Sequence, residues 1–388
     1  MEKNKLQEQL IAFSETGDTE QMAQLLQQGL QVDFKDVFGR TALMAATQNN
    51  QIHAAALLLK AGSNPNVKDH TQLSPFICAG ANGFFDILNL MVSAGADKAD
   101  VNRFGGTALL PAAEKGFLRT VQVCLDAGVP VNHVNYLGWS ALLEAVILGN
   151  GGRLYTDVIE ELINAGANIG LADRKHLTAV QHAEALGQDK VVRMLKGEKI
   201  EQSAEMIQAK ASAKKNEFEK ALELMTQALH KTPDNPDFLF YSGHFLMVLK
   251  RYKEAMNRFE KALTGHPQAS EFYFYIANCL RSLKQPDRAL AMFEEGAAKG
   301  DSIFFWYHQS NYLRELGRHE EAVTVMEKLL DMQPDRYDFA FHLANSLRAL
   351  GRHQEAIDAI EMAIAADPDN PLYHNHKEES LKLQEEKQ

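Results

Sequence analysis

Cysteine is scarce in this chain, with three in 388 residues (Cys78, Cys124 and Cys279), none in Cys-x-x-Cys spacing. That excludes a disulfide framework and a cysteine-built zinc site. The expectation is three buried thiols in a reducing compartment. Long apolar runs are also absent. No stretch approaches the ~20 apolar residues that span a bilayer, and residues 1–10 lack the apolar core of a signal peptide. No membrane insertion is expected, and the location expected is cytoplasmic. Basic charge is not in excess: 40 Lys and Arg face 51 Asp and Glu, a net charge of -11. Neutralising phosphates requires the opposite balance, so no nucleic-acid partner is expected. No glycine-rich phosphate loop and no Gly-x-Ser-x-Gly elbow occurs. His374 and His376 have no further ligands at metal spacing. Neither a metal nor a cofactor is expected.

What the chain does have is repetition, and the first half keeps a period of 33. An Asp or Asn opens each unit, and a Thr/Ser-Ala/Pro-Leu/Phe signal follows five residues on: Asp36 with Thr41-Ala42-Leu43, Asp69 with Ser74-Pro75-Phe76, Asn102 with Thr107-Ala108-Leu109, and Asn135 with Ser140-Ala141-Leu142. A fifth start, Asp173, comes 38 residues later, with the extra length near Gly149–Gly152. Units close on Ala61-Gly62, Ala94-Gly95, Ala127-Gly128 and Ala165-Gly166. Thr or Ser is placed to cap the first helix of each unit, and the glycines permit the turn that follows the second.

This pattern resembles ankyrin repeats over residues 6–197, which implies helix pairs with protruding hairpin fingers, stabilised by stacking. Residues 103–116, 132–139 and 142–152 are similar to a group of small bacterial ankyrin proteins, sharing Arg103, Glu114, His133, Asn135, Trp139 and Glu144. The resemblance implies a bacterial source and no particular chemistry. Glu144 sits where neighbouring units carry Pro111 and His182, and stacked units bring such places to about 10 Å. Two readings stand: an acid–base pair within a polar site of Arg103, Glu114, His133, Glu144 and His182, or ordinary polar contacts on a solvated concave face. The finger tips offer Val37, Phe38, Leu73, Phe104, Tyr136, Leu137 and Trp139. Apolar groups on protruding turns pack either on the next finger or on a partner. Phe38, Phe104, Tyr136 and Trp139 are the candidate anchors of the second arrangement.

From about residue 202 the period becomes 34. Ala221, Ala255, Ala289, Ala322 and Ala356 mark the second helix of successive units, and Pro233, Pro267, Pro334 and Pro368 end four of them. This resembles five tetratricopeptide repeats over 202–370. The domain expectation is therefore an ankyrin array at 1–197 (about six units, the first a cap), a junction at 198–201, the five-unit array, and a capping helix at 371–388. The third unit is one residue short and carries Gly296 and Gly300. Glycine inside a helix costs ~1 kcal/mol against alanine, so a soft joint is expected there.

Three first helices of this second array repeat one polar pattern: Phe274/Asn278/Arg281, Tyr307/Asn311/Arg314 and Phe341/Asn345/Arg348. Steps of four and three place each trio on one helical stripe. Phe240 and His244 begin the series, preceded by Met206 and Lys210. An asparagine amide offers a donor and an acceptor to a peptide backbone, and the stripe is similar to the asparagine ladder of the O-linked N-acetylglucosamine transferase repeat domain. The competing reading is a solvated face with the arginines paired to local acids such as Glu315 or Asp338. The fold class expected is an all-α repeat solenoid. The function expected is a non-enzymatic scaffold with a peptide in the second array and a protein partner on the first. The alternative is an enzyme or small-molecule-binding protein using the polar site, with the second array recruiting substrate.

Overall fold

The computed structural model describes residues 2–300 and 302–385. Among them are 23 helices and no strand; two isolated β-bridges join Val134 to Ser140 and Ala172 to Thr178. This is the all-α repeat architecture. The chain divides into two compact units, Met1–Lys199 and Ile200–Gln388.

In the first unit, an opening pair (Glu2–Thr16 and Thr19–Leu26) is followed by short helix pairs, such as Ala42–Gln48 with Ile52–Lys60 and Pro75–Asn82 with Phe85–Ser93. The capping expectation is met in four of the five fingers. Thr41, Ser74 and Ser140 hydroxyls accept from the amides of Met44, Ile77 and Leu143 at 3.2–3.3 Å, and Thr178 with Gln181 forms a reciprocal capping box. The finger at Thr107 departs. Elsewhere the fourth amide donates to the capping residue's carbonyl, as Glu144 does to Ser140 at 2.9 Å. Pro111 has no N–H to donate. Leu110 bonds the Thr107 carbonyl instead, at 3.2 Å, the helix begins only at Leu109, and the Thr107 hydroxyl is buried with no hydrogen-bond partner among the described residues.

The extra residues before the fifth start lengthen one helix to Arg153–Asn164, 12 residues against nine in the preceding second helices. Its Tyr155 is fully buried and donates to the Glu114 carbonyl at 2.9 Å. Gly149 makes room for it: a Cβ there would lie 2.5 Å from Tyr155 Cδ1. Gln188 closes the loop, donating to the carbonyls of Val146 and Gly149 at 3.0 Å each.

The second unit stacks longer pairs: Ala204–Lys214 with Phe218–Lys231, Pro236–Val248 with Tyr252–Gly265, Glu271–Ser282 with Pro286–Lys299, Ser302–Glu315 with His319–Met332, and Tyr337–Ala349 with His353–Ala366. Pro371–Glu385 closes the stack. Alanines 221, 255, 289, 322 and 356 are all fully buried, which lets the paired helices approach closely. Aromatic rings fill the space between pairs. Phe240 meets Tyr275 edge-on at 4.9 Å, and Phe274 meets Phe304 at 4.9 Å. Gly296, expected as a soft point, is buried beside Phe305, so its missing side chain serves packing.

Candidate functional site

In the polar stripe of the second unit, each asparagine meets the arginine one turn later. Arg281 Nη1 donates to Asn278 Oδ1 at 3.0 Å, Arg314 Nη2 donates to Asn311 Oδ1, and Arg348 Nη2 donates to Asn345 Oδ1 at 2.5 Å. A guanidinium only donates, so it fixes the amide oxygen toward itself and the amide NH2 away. The Asn345 NH2 is buried with no hydrogen-bond partner among the described residues. All three asparagines are half-buried. The stripe therefore repeats an oriented amide donor, where sequence spacing had suggested a donor and an acceptor together.

The flanking members are placed differently from expectation. Phe274, Tyr307 and Phe341 are buried, and their rings pack against His308, Phe339 and His376 respectively. They are packing between repeats, because the face next to the stripe meets the following helix pair. Arg281 bonds Glu315 at 2.6 Å and lies over the Tyr312 ring, which is the local-acid pairing. Asp338 instead takes Arg336, at 2.7 Å. Arg348 is only 8% exposed. It donates to the His376 carbonyl at 3.1 Å and pairs with Glu379 at 2.8 Å, both on the closing helix. Glu379 lies 34 residues after Asn345 and so continues the same column, a period that the Asn–Arg motif alone does not reveal. At the other end, Lys210 lies over the Tyr241 ring, and burial pushes His244 down to about 4.

The fingers of the first unit share one device. The opening Asp or Asn accepts two amides of its own hairpin: Asp36 from Phe38 and Arg40, Asp69 from Thr71 and Leu73, Asn102 from Phe104 and Gly106, Asn135 from Leu137 and Trp139, and Asp173 from Lys175 and Leu177. In two fingers the other side-chain atom reaches nine residues ahead. Asn135 Nδ2 donates to Glu144 Oε1 at 2.8 Å, and His182 Nε2 donates to Asp173 Oδ2 at 2.8 Å. Glu144 and His182 are thus each tied to their own finger, as the reading of ordinary polar contacts has it rather than the acid–base pair. Burial, and then the charge of Glu114, push the Glu144 carboxyl well above its ordinary range, against the Asn135 hydrogen bond. Its Oε2 has no hydrogen-bond partner among the described residues. His133 also serves the hairpins: its Nε2 donates to the Gly105 carbonyl of the preceding finger at 2.6 Å.

The four ring anchors separate into two groups. Trp139 is 8% exposed and belongs to the core, a correction to its expected place on a ridge. Tyr136 is half-buried against the preceding finger, its ring 2.9 Å from where a Gly105 Cβ would stand. Phe104 is half-buried beneath Arg103, whose guanidinium lies 5.2 Å from the ring centre. Phe38 alone of the four is exposed, at 63%, next to Val37 at 81%. It opens the row of fingers, so no earlier finger shields it.

Sequence-family models agree with this division. Ankyrin repeats match residues 3–69 and 75–173. Tetratricopeptide repeats match 208–258 and 307–371, and the anaphase-promoting complex, cyclosome, subunit 3 model matches 250–329. Among curated proteins none matches the chain. An ankyrin repeat domain from Acinetobacter baumannii AYE is 46% identical over 48% of this chain and 95% of its own, with a TM-score of 0.48. Another ankyrin repeat protein of known structure is 34% identical over 49% of this chain and 97% of its own, with a TM-score of 0.47. A structure of a predatory endopeptidase from Bdellovibrio bacteriovorus in complex with an immunity protein contains a match at 25% identity over 49% of this chain and 97% of that one, with a TM-score of 0.43. Both repeat types are general protein–protein interaction modules. The chain carries ankyrin repeats in its N-terminal part and tetratricopeptide repeats in its C-terminal part.

Proposed function

We propose that the protein is a non-enzymatic scaffold that holds an extended peptide along Asn278, Asn311 and Asn345 and a second protein on its first finger. The observation that carries this reading is the in-phase repetition of three asparagine–arginine pairs, each holding its amide oxygen against the arginine. A donor repeated once per repeat suits a peptide's carbonyl oxygens, which every residue supplies. An extended strand advances ~3.3 Å per residue, and stacked helices advance roughly 10 Å per repeat, so about every third carbonyl meets a rung. The arginines act as clamps on the amides, with Arg281 and Arg348 already engaged by Glu315 and Glu379. On the first unit, Val37 and Phe38 form the exposed apolar tip suited to a partner's pocket.

Selection of a phage-displayed library of random 12-residue peptides on the full chain tests the reading. Enriched peptides that bind through residues 202–370, without a shared charged side chain at three-residue intervals, are expected. Failure to enrich any peptide, or enrichment that depends on one charged residue with no backbone contribution, counts against it.

A further inference from the structure

The helices Pro286–Lys299 and His319–Met332 flank a cleft of about 720 Å³ floored by Ser302–Glu315. The cleft uses Ser302, Trp306, Gln309 and Leu313 of the floor helix. The ladder uses Tyr307, Asn311 and Arg314, which the 3.6-residue period turns to another side. This is therefore a separate surface, of a size suited to a ligand or an inserted side chain.

The cleft has a cause in sequence. Eight residues after the marker alanine, the other four repeats carry Leu229, Leu263, Leu330 and Ile364, whereas this repeat carries Ala297. Two residues after the marker, the others carry Glu223, Asn257, Thr324 and Asp358, whereas this one carries Ala291. Both alanines line the cleft, and Trp306, half-buried, forms part of its floor. Small side chains thus replace large ones where a large aromatic face becomes accessible.

The chemistry of the occupant follows from what already lies there. Lys328 Nζ sits 3.2 Å from the centre of the Trp306 ring, so an ammonium already occupies the indole face. Its own side chain is exposed and free to move into water. Three carboxylates, Asp287, Glu294 and Glu321, line the cleft against two cations, Arg318 and Lys328. Arg318 is committed to the rim, bonding Glu321 at 2.7 Å and Asp287 at 3.0 Å. Glu294 is left with a neutral partner, accepting from Gln309 Nε2 at 3.2 Å.

We propose that this cleft receives a basic side chain, arginine or lysine, of a partner protein. Its aliphatic stem lies along Ala291, Ala297 and Leu313. Its charged head replaces Lys328 over Trp306 and pairs with Glu294. The net charge of -11 favours the approach of such a partner.

The test is fluorescence anisotropy of fluorescein-labelled tetraarginine amide with the full chain at 150 mM salt, with labelled tetraglutamate as the opposite charge. Saturable tetraarginine binding is expected. Ala297→Leu, which restores the size found in the other repeats without changing net charge, should weaken it at least tenfold. Lys328→Met, which removes the competing ammonium, should tighten it several-fold. Trp306→Leu, matching Leu239 of the second repeat, gives an independent loss should Ala297→Leu fold poorly. The proposal is overturned if tetraarginine does not saturate. It is equally overturned if folded Ala297→Leu and Trp306→Leu bind like the parent, or if tetraglutamate binds as tightly.

Discussion

Gly296→Ala separates two roles for a helical glycine that sequence alone does not distinguish. In an ordinary helix interior the change stabilises by ~1 kcal/mol, because alanine loses less backbone entropy. Here a Cβ would stand 2.6 Å from Phe305 Cδ1 and closer to Cε1 and Cζ. Phe305 is fully buried and has no free direction in which to give way. Overpacking of this kind costs roughly 1–3 kcal/mol, so after the propensity gain the net effect is a destabilisation of about 0–2 kcal/mol. A double-mutant cycle removes the ambiguity near zero. In a Phe305→Leu background, where the ring is gone, Gly296→Ala should recover stabilisation, giving a coupling of about 1–3 kcal/mol. Urea unfolding followed by far-ultraviolet circular dichroism measures all four proteins. Stabilisation by ~1 kcal/mol in both backgrounds, with no coupling, would refute close packing at this contact and restore the reading of Gly296 as a soft joint.

Other outcomes follow from the first unit. Trp139→Ala should cost about 3–5 kcal/mol, as for other buried aromatics, and lower the melting temperature. A change within experimental error would place the ring outside the core. Phe38→Ala should alter stability by less than about 0.5 kcal/mol, and a large drop in melting temperature would mean the tip packs internally. The raised Glu144 carboxyl gives a pH signature. Its folded form holds a proton above pH 4.5, where the unfolded form has released it, so this group's contribution to stability falls as pH rises from 4.5 toward its folded value. Glu144→Gln removes that titration, so its melting temperature should gain on the parent between pH 5 and pH 8. A constant difference across that range would show that Glu144 is ionised in the folded chain.

Repeat lengths and helix pairs were legible because they rest on periodic one-dimensional signals: the Asp/Asn and Thr/Ser positions of the fingers, the marker alanines, and the terminal prolines. Side-chain direction at a shared position was not legible. Phe38 and Trp139 both read as finger aromatics, yet one is exposed and the other buried, since burial depends on the neighbouring repeats. In the stripe, the spacing placed Asn and Arg together but not the hydrogen bond that turns each amide. The aromatic beside them also read as part of a groove, although the next helix pair covers it. Glu144 and His182 occupied equivalent places in adjacent units, but each bonds a residue of its own finger, Asn135 and Asp173 respectively. The Trp306 cleft did have a sequence signal, Ala297 against leucine or isoleucine elsewhere, visible only when the repeats are compared position by position.

The central claim is that oriented asparagine amides hold a peptide by its carbonyls, and the triple change Asn278→Asp, Asn311→Asp and Asn345→Asp tests it most directly. Aspartate keeps the size and the oxygen that each arginine grips but removes the donor. Isothermal titration of one library-selected peptide should show the loss of the hydrogen bonds from Asn278 and Asn311, ~1 kcal/mol each, a weakening of roughly 30-fold, with helicity unchanged; the buried Asn345 amide adds little. Equal affinity for the parent and the triple variant, with the peptide bound through residues 202–370, would contradict the account.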